Sequence, residues 1–324
     1  MNLGATLGRA LFFRWWNLKR IVLGLQYDGA PWLGYQTQPH GCTVQDHLEA
    51  AIQQFSLQKV RTVCAGRTDA GVHALEQVVH FDIDLSRNAF SWVRGVNAYL
   101  PPAIAVRWAC EVPGDAPAGN DGQGDGDQAD ANGNHGTLLA GETDSAVYVP
   151  GMASVPQHQG GFHARFSARA RTYHYVLYNH AVRSPVLRAK VGWVFRPLNV
   201  ELMQQGANYL LGTHDFTTFR AAQCQAKTPV KEMYSIQIQR HGDLIIFTLR
   251  ASAFLHHMVR NIVGSLICVG SGNNPPEWMQ DLLQSRDRSR AAPTFMPDGL
   301  YLAKIDYEPH WNLPQESSLL PWFG

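Results

Sequence analysis

With 324 residues, 45% of them hydrophobic, the chain can bury a sizeable core and is expected to form two folded halves. Its net charge of +1 points to no partner by itself. The five cysteines, Cys42, Cys64, Cys110, Cys224 and Cys268, are odd in number, widely spaced and form no C-x-x-C pair, which argues against a disulfide framework or a cysteine-based zinc site and suits a cytoplasmic setting.

In chain order, the apolar run Leu11–Trp16 is short and broken by Arg14, so it reads as neither a membrane span nor a secretory signal. Residues 1–18 are expected to be an N-terminal extension. Ile21, Leu23, Leu25 and Tyr27 alternate with Val22, Gly24 and Gln26, which predicts a first strand. Thr43 is placed to cap a helix over Val44–Phe55, whose apolar stripe is Val44, Leu48, Ala51, Ile52 and Phe55. A short β-like run, Val60–Val63, leads into the loop Cys64–Ala74. A second strand, Gln77–Ile83, follows. Phe90–Leu100 reads as a helix stopped by Pro101-Pro102, and Ile104–Cys110 as a strand. The order β-α-β-β-α-β over 19–112 is that of a split βαβ or ferredoxin-like half.

Residues 113–161 break the pattern. Gly119–Asp127 is an acidic run of Gly and Asp that reads as a disordered insert. Its Asp-Gly alternation lacks the EF-hand spacing and any nonapeptide repeat, so no calcium site is expected. Between Trp108 and Ala164 there is no Lys or Arg but eight acids, which leaves 27 basic residues against 26 − 8 = 18 acidic ones elsewhere. A body of net +9 suits a polyanion such as RNA.

Residues 162–311 form a second α+β half, followed by a tail at 312–324. Its predicted elements are a strand at Arg171–Tyr178, with Tyr173, Tyr175 and Leu177 on one face, and a helix at Glu201–Leu211. A hairpin, Met233–Gln239 with Asp243–Arg250, turns at His241-Gly242. Helices at Leu255–Val269 and Glu277–Leu283 and a last strand at Gly299–Tyr307 complete it.

Asp69 stands out. It lies in a loop between strands, bracketed by Gly66 and Gly71, with Arg67 and Thr68 beside it. Such an Asp can simply hydrogen-bond its own turn, or it can be a held carboxylate ready for chemistry. Arg260 is a candidate partner that would offset the desolvation of the Asp69 charge. Basic and aromatic residues interleave over Ala164–Tyr175, as exposed bases and phosphates require. There is no G-x-S-x-G, P-loop or H-E-x-x-H pattern. His256 and His257, read as neighbours on a helix, would point about 100° apart and form no metal pair.

Ala65-Gly66-Arg67-Thr68-Asp69-Ala70-Gly71-Val72-His73 resembles the catalytic motif of the TruA family of tRNA pseudouridine synthases. The resemblance continues in order through Tyr27-Asp28-Gly29, His80-Phe81, Gly95-Val96-Asn97, Tyr173, Asp215-Phe216-Thr217, Ala253–Leu266 and Gly299-Leu300-Tyr301. It implies a pseudouridine synthase fold: α+β, with two ferredoxin-like halves sharing a mixed, mainly antiparallel sheet around a central cleft. It implies isomerisation of uridines 38, 39 and 40 of the tRNA anticodon stem-loop by a homodimer, with no metal or organic cofactor.

Residue by residue, the resemblance implies that Asp69 is the nucleophile, paired with Arg260. Arg67 would hold the target base out of the helix and Tyr173 would stack on it, with Tyr173 also a candidate to take the C5 proton. Phe162, His163, Ala164, Arg165 and Phe166, and then Gln223, Cys224, Gln225, Ala226 and Lys227, match segments that contact tRNA. The chain departs from the family pattern in Tyr35, where Trp is usual, in the insert and in the N-terminal extension. The competing readings are a non-catalytic tRNA-binding or folding protein and a synthase acting on another RNA.

Overall fold

The structure, a computed structural model, describes residues 18–114 and 160–315. The expected N-terminal extension, nearly all of the acidic insert and most of the tail therefore lie outside the described residues.

Ten strands form one sheet. The first half supplies β1 (Lys19–Tyr27), β2 (Val63–Cys64), β3 (His73–Ile83) and β4 (Ile104–Val112). The second supplies β5 (Ala168–Asn179), β6 (Gly192–Val194), β7 (Gly212–Asp215), β8 (Val230–His241), β9 (Leu244–Ala251) and β10 (Leu300–Tyr307). The sheet runs β4-β1-β3-β10-β5-β9-β8-β7, with β2 on β3 and β6 on β5. Pairing is antiparallel except for β10 with β3 and β6 with β5, so the sheet is mixed and mainly antiparallel.

Among the described residues there are five α-helices, α1 (Val44–Ser56), α2 (Ala89–Asn97), α3 (Val200–Asn208), α4 (Met258–Gly270) and α5 (Trp278–Ser285). Local chemistry sets their starts. Thr43 and Asp46 form a capping box at α1. Asn88 and Asn199 cap α2 and α3 by accepting the backbone N–H of Ser91 and Leu202. The expected α1 stripe is buried at Val44, Leu48, Ala51 and Ile52. On β5, Tyr173, Tyr175 and Leu177 enter the main core, while Val176 joins a small cluster with Val191 and Tyr301 on the other face.

The halves meet at one seam. The last strand, β10, lies between β5 and β3, and its parallel pairing to β3 is short: Tyr301 with His73 and Leu302 with Ala74. The His73 ring stacks on Tyr301 at 4.6 Å, and its Nε2 lies 3.1 Å from the Asp298 carbonyl. Leu302 also pairs with Tyr173, so Ala74, Leu302 and Tyr173 form one row across the seam. The loop that precedes β3 is thereby placed beside Tyr173.

Two expected elements shift. Of the β-like run Val60–Val63 only Val63 pairs, with His80 of β3, and the strand extends instead to Cys64, which pairs with Val79. The helix expected from Leu255 begins at Met258, because His257 adopts a left-handed conformation (φ 62°) that an α-helix cannot include. The insert leaves and re-enters the body at one point: the Phe162 N–H donates to the Pro113 carbonyl at 3.0 Å. The Arg20 guanidinium bonds the Phe162 carbonyl at 2.7 Å and grips both Asp82 oxygens, which docks this return on β1 and β3.

Close backbone approach sets the seam's tolerance. A Cβ on Gly29 would lie 2.0 Å from the Val72 carbonyl oxygen, whereas one on Gly66 would meet nothing nearer than the Tyr173 hydroxyl at 4.0 Å. Gly29→Ala should therefore destabilise the fold by about 1–3 kcal/mol, and Gly66→Ala by less than about 0.5 kcal/mol. Denaturant midpoints of the two variants check this; equal midpoints would contradict the close contact.

Candidate active site

Asp69 sits in the loop between β2 and β3, held from several sides. Gln77 is fully buried and brackets Gly66, accepting its N–H at 3.3 Å and donating to its carbonyl at 2.5 Å. The Thr68 hydroxyl meets the Tyr27 hydroxyl at 2.7 Å, and the Tyr35 N–H donates to the Thr68 carbonyl at 3.0 Å. The Val72 N–H closes a turn onto the Asp69 carbonyl at 3.1 Å. Of the two bracketing glycines, Gly71 has positive φ (78°) and Gly66 does not. The loop is over-determined, and the Asp69 side chain emerges from it 23% exposed.

Arg260 reaches Asp69 from the first turn of α4. Its Nη1 lies 3.2 Å from Asp69 Oδ2 while its Nε donates to the Phe295 carbonyl at 2.7 Å, so the guanidinium is anchored at both edges. The expected pair thus forms across 191 positions of sequence.

Two residues that sequence reasoning set aside join it. His256 Nε2 lies 3.2 Å from Asp69 Oδ1 and His257 Nε2 lies 3.4 Å from Asp69 Oδ2. The expectation that these rings diverge fails because both precede α4, in a turn closed by the Met258 N–H on the Leu255 carbonyl. The left-handed His257 brings the ring centroids to 3.9 Å. A strained φ is invisible to helical periodicity; the usable signal was a polar His-His doublet interrupting an apolar stripe. Burial lowers the His257 pKa, the Asp69 charge opposes this, and the neighbouring His256, Arg260 and Arg288 charges lower it further.

Tyr173 is 8% exposed, with its ring edge-on to Phe254 at 5.0 Å. Burial raises its pKa well above the ordinary phenol value, and the Asp69 charge adds to the effect. It stays a phenol at neutral pH. The Cys64 thiol, beside the same loop, is pushed up to about 11 by burial and offers no competing nucleophile at neutral pH.

Arg67 is exposed, and its Nη1 donates to Gln225 Oε1 at 3.1 Å. The Gln223–Lys227 segment is therefore brought to the Asp69 loop. Gln223, Gln225 and Lys227 are exposed, while Cys224 and Ala226 face inward. The carbonyls of Cys224 and Ala226 accept from Arg220, and the Cys224 thiol accepts the His256 N–H at 3.4 Å.

The 162–166 segment splits. Phe162 and Ala164 are fully buried: the Phe162 ring packs on Tyr307 and Trp311, and Ala164 bonds His80 and Tyr307 through its backbone. They cannot face RNA in this arrangement, and they seat the loop instead. His163 stacks under Phe166 at 4.2 Å and accepts the N–H groups of Arg165 and Phe166. Only Arg165 and Phe166 are exposed.

Arg171 was read as the start of a strand within the basic and aromatic stretch 164–175, yet it turns inward and ties the site together. Its guanidinium donates to the carbonyls of Ala65, Arg165, Ala168 and Ser252 at 2.8–3.3 Å, which joins the catalytic loop, the 162–167 turn and the end of β9.

A carboxylate in a rigid loop, a fork-anchored arginine, an aromatic floor and flanking exposed cations suit nucleophilic work on a flipped base. Comparison with known sequences agrees. The sequence model described as tRNA pseudouridine synthase matches residues 25–115 and 207–308. A tRNA pseudouridine synthase A from Janthinobacterium sp. (strain Marseille) is 60% identical over 297 residues, 92% of this chain and 95% of the relative. The proteins of that name from Herminiimonas arsenicoxydans and Paraburkholderia phymatum are 58% and 48% identical, covering 92% and 94% of this chain and 93% and 97% of their own. The chain belongs to the TruA family of tRNA pseudouridine synthases.

Proposed function

We propose that this chain converts uridines 38, 39 and 40 of the tRNA anticodon stem-loop to pseudouridine, with Asp69 as the nucleophile. Membership of the family makes it an enzyme that pseudouridylates tRNA. The observation that carries the finer reading is the Asp69–Arg260 contact at 3.2 Å, made in a loop rigid on every side. A free carboxylate is a weak nucleophile; one held beside a cation at the reacting centre gains by proximity and by needing no reorganisation.

The reaction cleaves the bond from ribose C1′ to uracil N1, turns the detached base and forms a bond from C1′ to C5, after which the C5 proton leaves. Asp69 can act by attack on C1′, by attack on uracil C6, or by removing a proton at C2′; the geometry is compatible with each. Extruding the uridine costs a few kcal/mol of stacking. Arg67 and Tyr173 are placed to offset it, Arg67 from the exposed rim and Tyr173 from the floor. Arg165, Phe166, Gln223, Gln225 and Lys227 form the exposed margin that would meet the RNA. The homodimer and the cytoplasmic setting belong to this reading by resemblance. Among the described residues no helix is long and apolar enough to cross a membrane.

Release of tritium from C5-labelled uridine in an anticodon stem-loop transcript measures the chemistry. Asp69→Asn should lower it by at least about 10⁴-fold while tRNA affinity changes little. Substantial release by that variant would sink the nucleophile assignment, and release by the wild type only from another RNA would overturn the substrate. Arg67→Ala should cut turnover by about 10²-fold with a much smaller effect on binding, since it serves the flipped base and not the whole RNA. Arg165→Ala should weaken binding and lower the slope of log affinity against log salt by about 0.7–0.9, the value of one lost phosphate contact.

A further inference from the structure

The two histidines beside Asp69 give the site a second chemistry. Asp69, His256 and His257 each offer a ligand atom, and these atoms lie within 4.8 Å of one another. Each imidazole faces its own carboxylate oxygen, His256 Nε2 at 3.2 Å from Oδ1 and His257 Nε2 at 3.4 Å from Oδ2, so one ion between the rings and the carboxylate is within reach of all three side chains. The three side chains are 23–33% exposed, so an ion can enter and solvent can complete its coordination.

We propose that Asp69, His256 and His257 form a binding site for a divalent cation of the zinc class, and that an ion held there silences the enzyme by occupying Asp69. The silencing rests on the reading of Asp69 as nucleophile; the binding does not.

The backbone holds the arrangement ready. Consecutive helical residues would splay the imidazoles apart. Here the left-handed His257 sets them together, with the His256 N–H on the Cys224 thiol, the His256 carbonyl accepting from Ala221, and the His257 carbonyl accepting from Asn261. Two imidazoles and one carboxylate favour zinc, copper or nickel over magnesium or calcium, which prefer all-oxygen shells. Arg260 opposes the ion with its positive charge at Asp69 Oδ2. It consumes only one of the carboxylate's roughly four acceptor sites, so it weakens the site without filling it. The donor count, three protein groups with an open position, is that of exchangeable zinc sites and not of closed structural ones.

The test titrates Zn²⁺ into the full-length protein, without RNA, against a chromophoric chelator. One equivalent should compete with the chelator. His256→Ala, His257→Ala and Asp69→Asn should each weaken it at least tenfold, and the double histidine variant should lose it. Co²⁺ added to the wild type should develop the visible absorption of a tetrahedral site, a readout that needs no variant. With each protein's own metal-free rate as reference, Zn²⁺ should inhibit pseudouridine formation by the wild type, reversibly with EDTA, and should inhibit the single histidine variants only at tenfold higher concentration. Absence of a chelator-competing equivalent, its persistence in the double variant, or an unchanged Co²⁺ spectrum overturns the proposal. Turnover by Asp69→Asn would remove the functional reading of Asp69 and leave the binding result standing.

Discussion

The Asp69–Arg260 contact is made by two residues from opposite halves of the chain, and it exists only because β10 closes the sheet. Two pairs of residues, Tyr301 with His73 and Leu302 with Ala74, carry the strand-to-strand link. His73 and Ala74 follow the Asp69 loop, and Tyr173 lies on β5 in the row of Ala74 and Leu302. Any loosening of that short parallel pairing would displace the loop relative to both its cation and its aromatic floor. The seam is accordingly reinforced by side chains: the His73–Tyr301 stack, the buried Gln77 bracket and the four carbonyl bonds of Arg171.

These supports divide into two kinds. Uncharged groups hold the loop's shape, through Gln77, Thr68 with Tyr27, and the tight approach of Gly29 to Val72. Charged groups hold its position relative to the second half, through Arg171 and Arg260. The carboxylate itself is left partly open, with the Arg260 guanidinium on Oδ2 and a histidine nitrogen near each oxygen. A rigid frame around an accessible charged atom needs little rearrangement when the substrate arrives.

Much of this was legible in the sequence. Period-two alternation located β1, the turn at His241-Gly242 located the β8–β9 hairpin, and the Thr43 cap with its apolar stripe located α1. The ordered motifs pointed to Asp69, Arg67, Tyr173 and Arg260 as one group, and the structure brings Arg260 to Asp69, Tyr173 beneath the loop and Arg67 to Gln225. What was not legible depended on backbone strain or on depth. Helical periodicity carried through Leu255–His257, because nothing in those side chains announces a left-handed φ. Phe162 and Ala164 sat in a segment rich in bases and aromatics, yet their place is the core, which only long-range packing on Tyr307, Trp311 and His80 decides. Arg171 looked like a surface cation, and its four carbonyl partners come from three separate stretches of the chain.

The placement of β10 also bears on synthesis. A ribosome makes β3 first and β10 last, yet the two are neighbours at the middle of the sheet. Until residues 300–307 emerge, β3 and β5 must each wait with an open edge, a state that favours wrong strand partners. Vectorial synthesis therefore delays the sheet's closure to the final stage, and with it the alignment of Asp69, Arg260 and Tyr173.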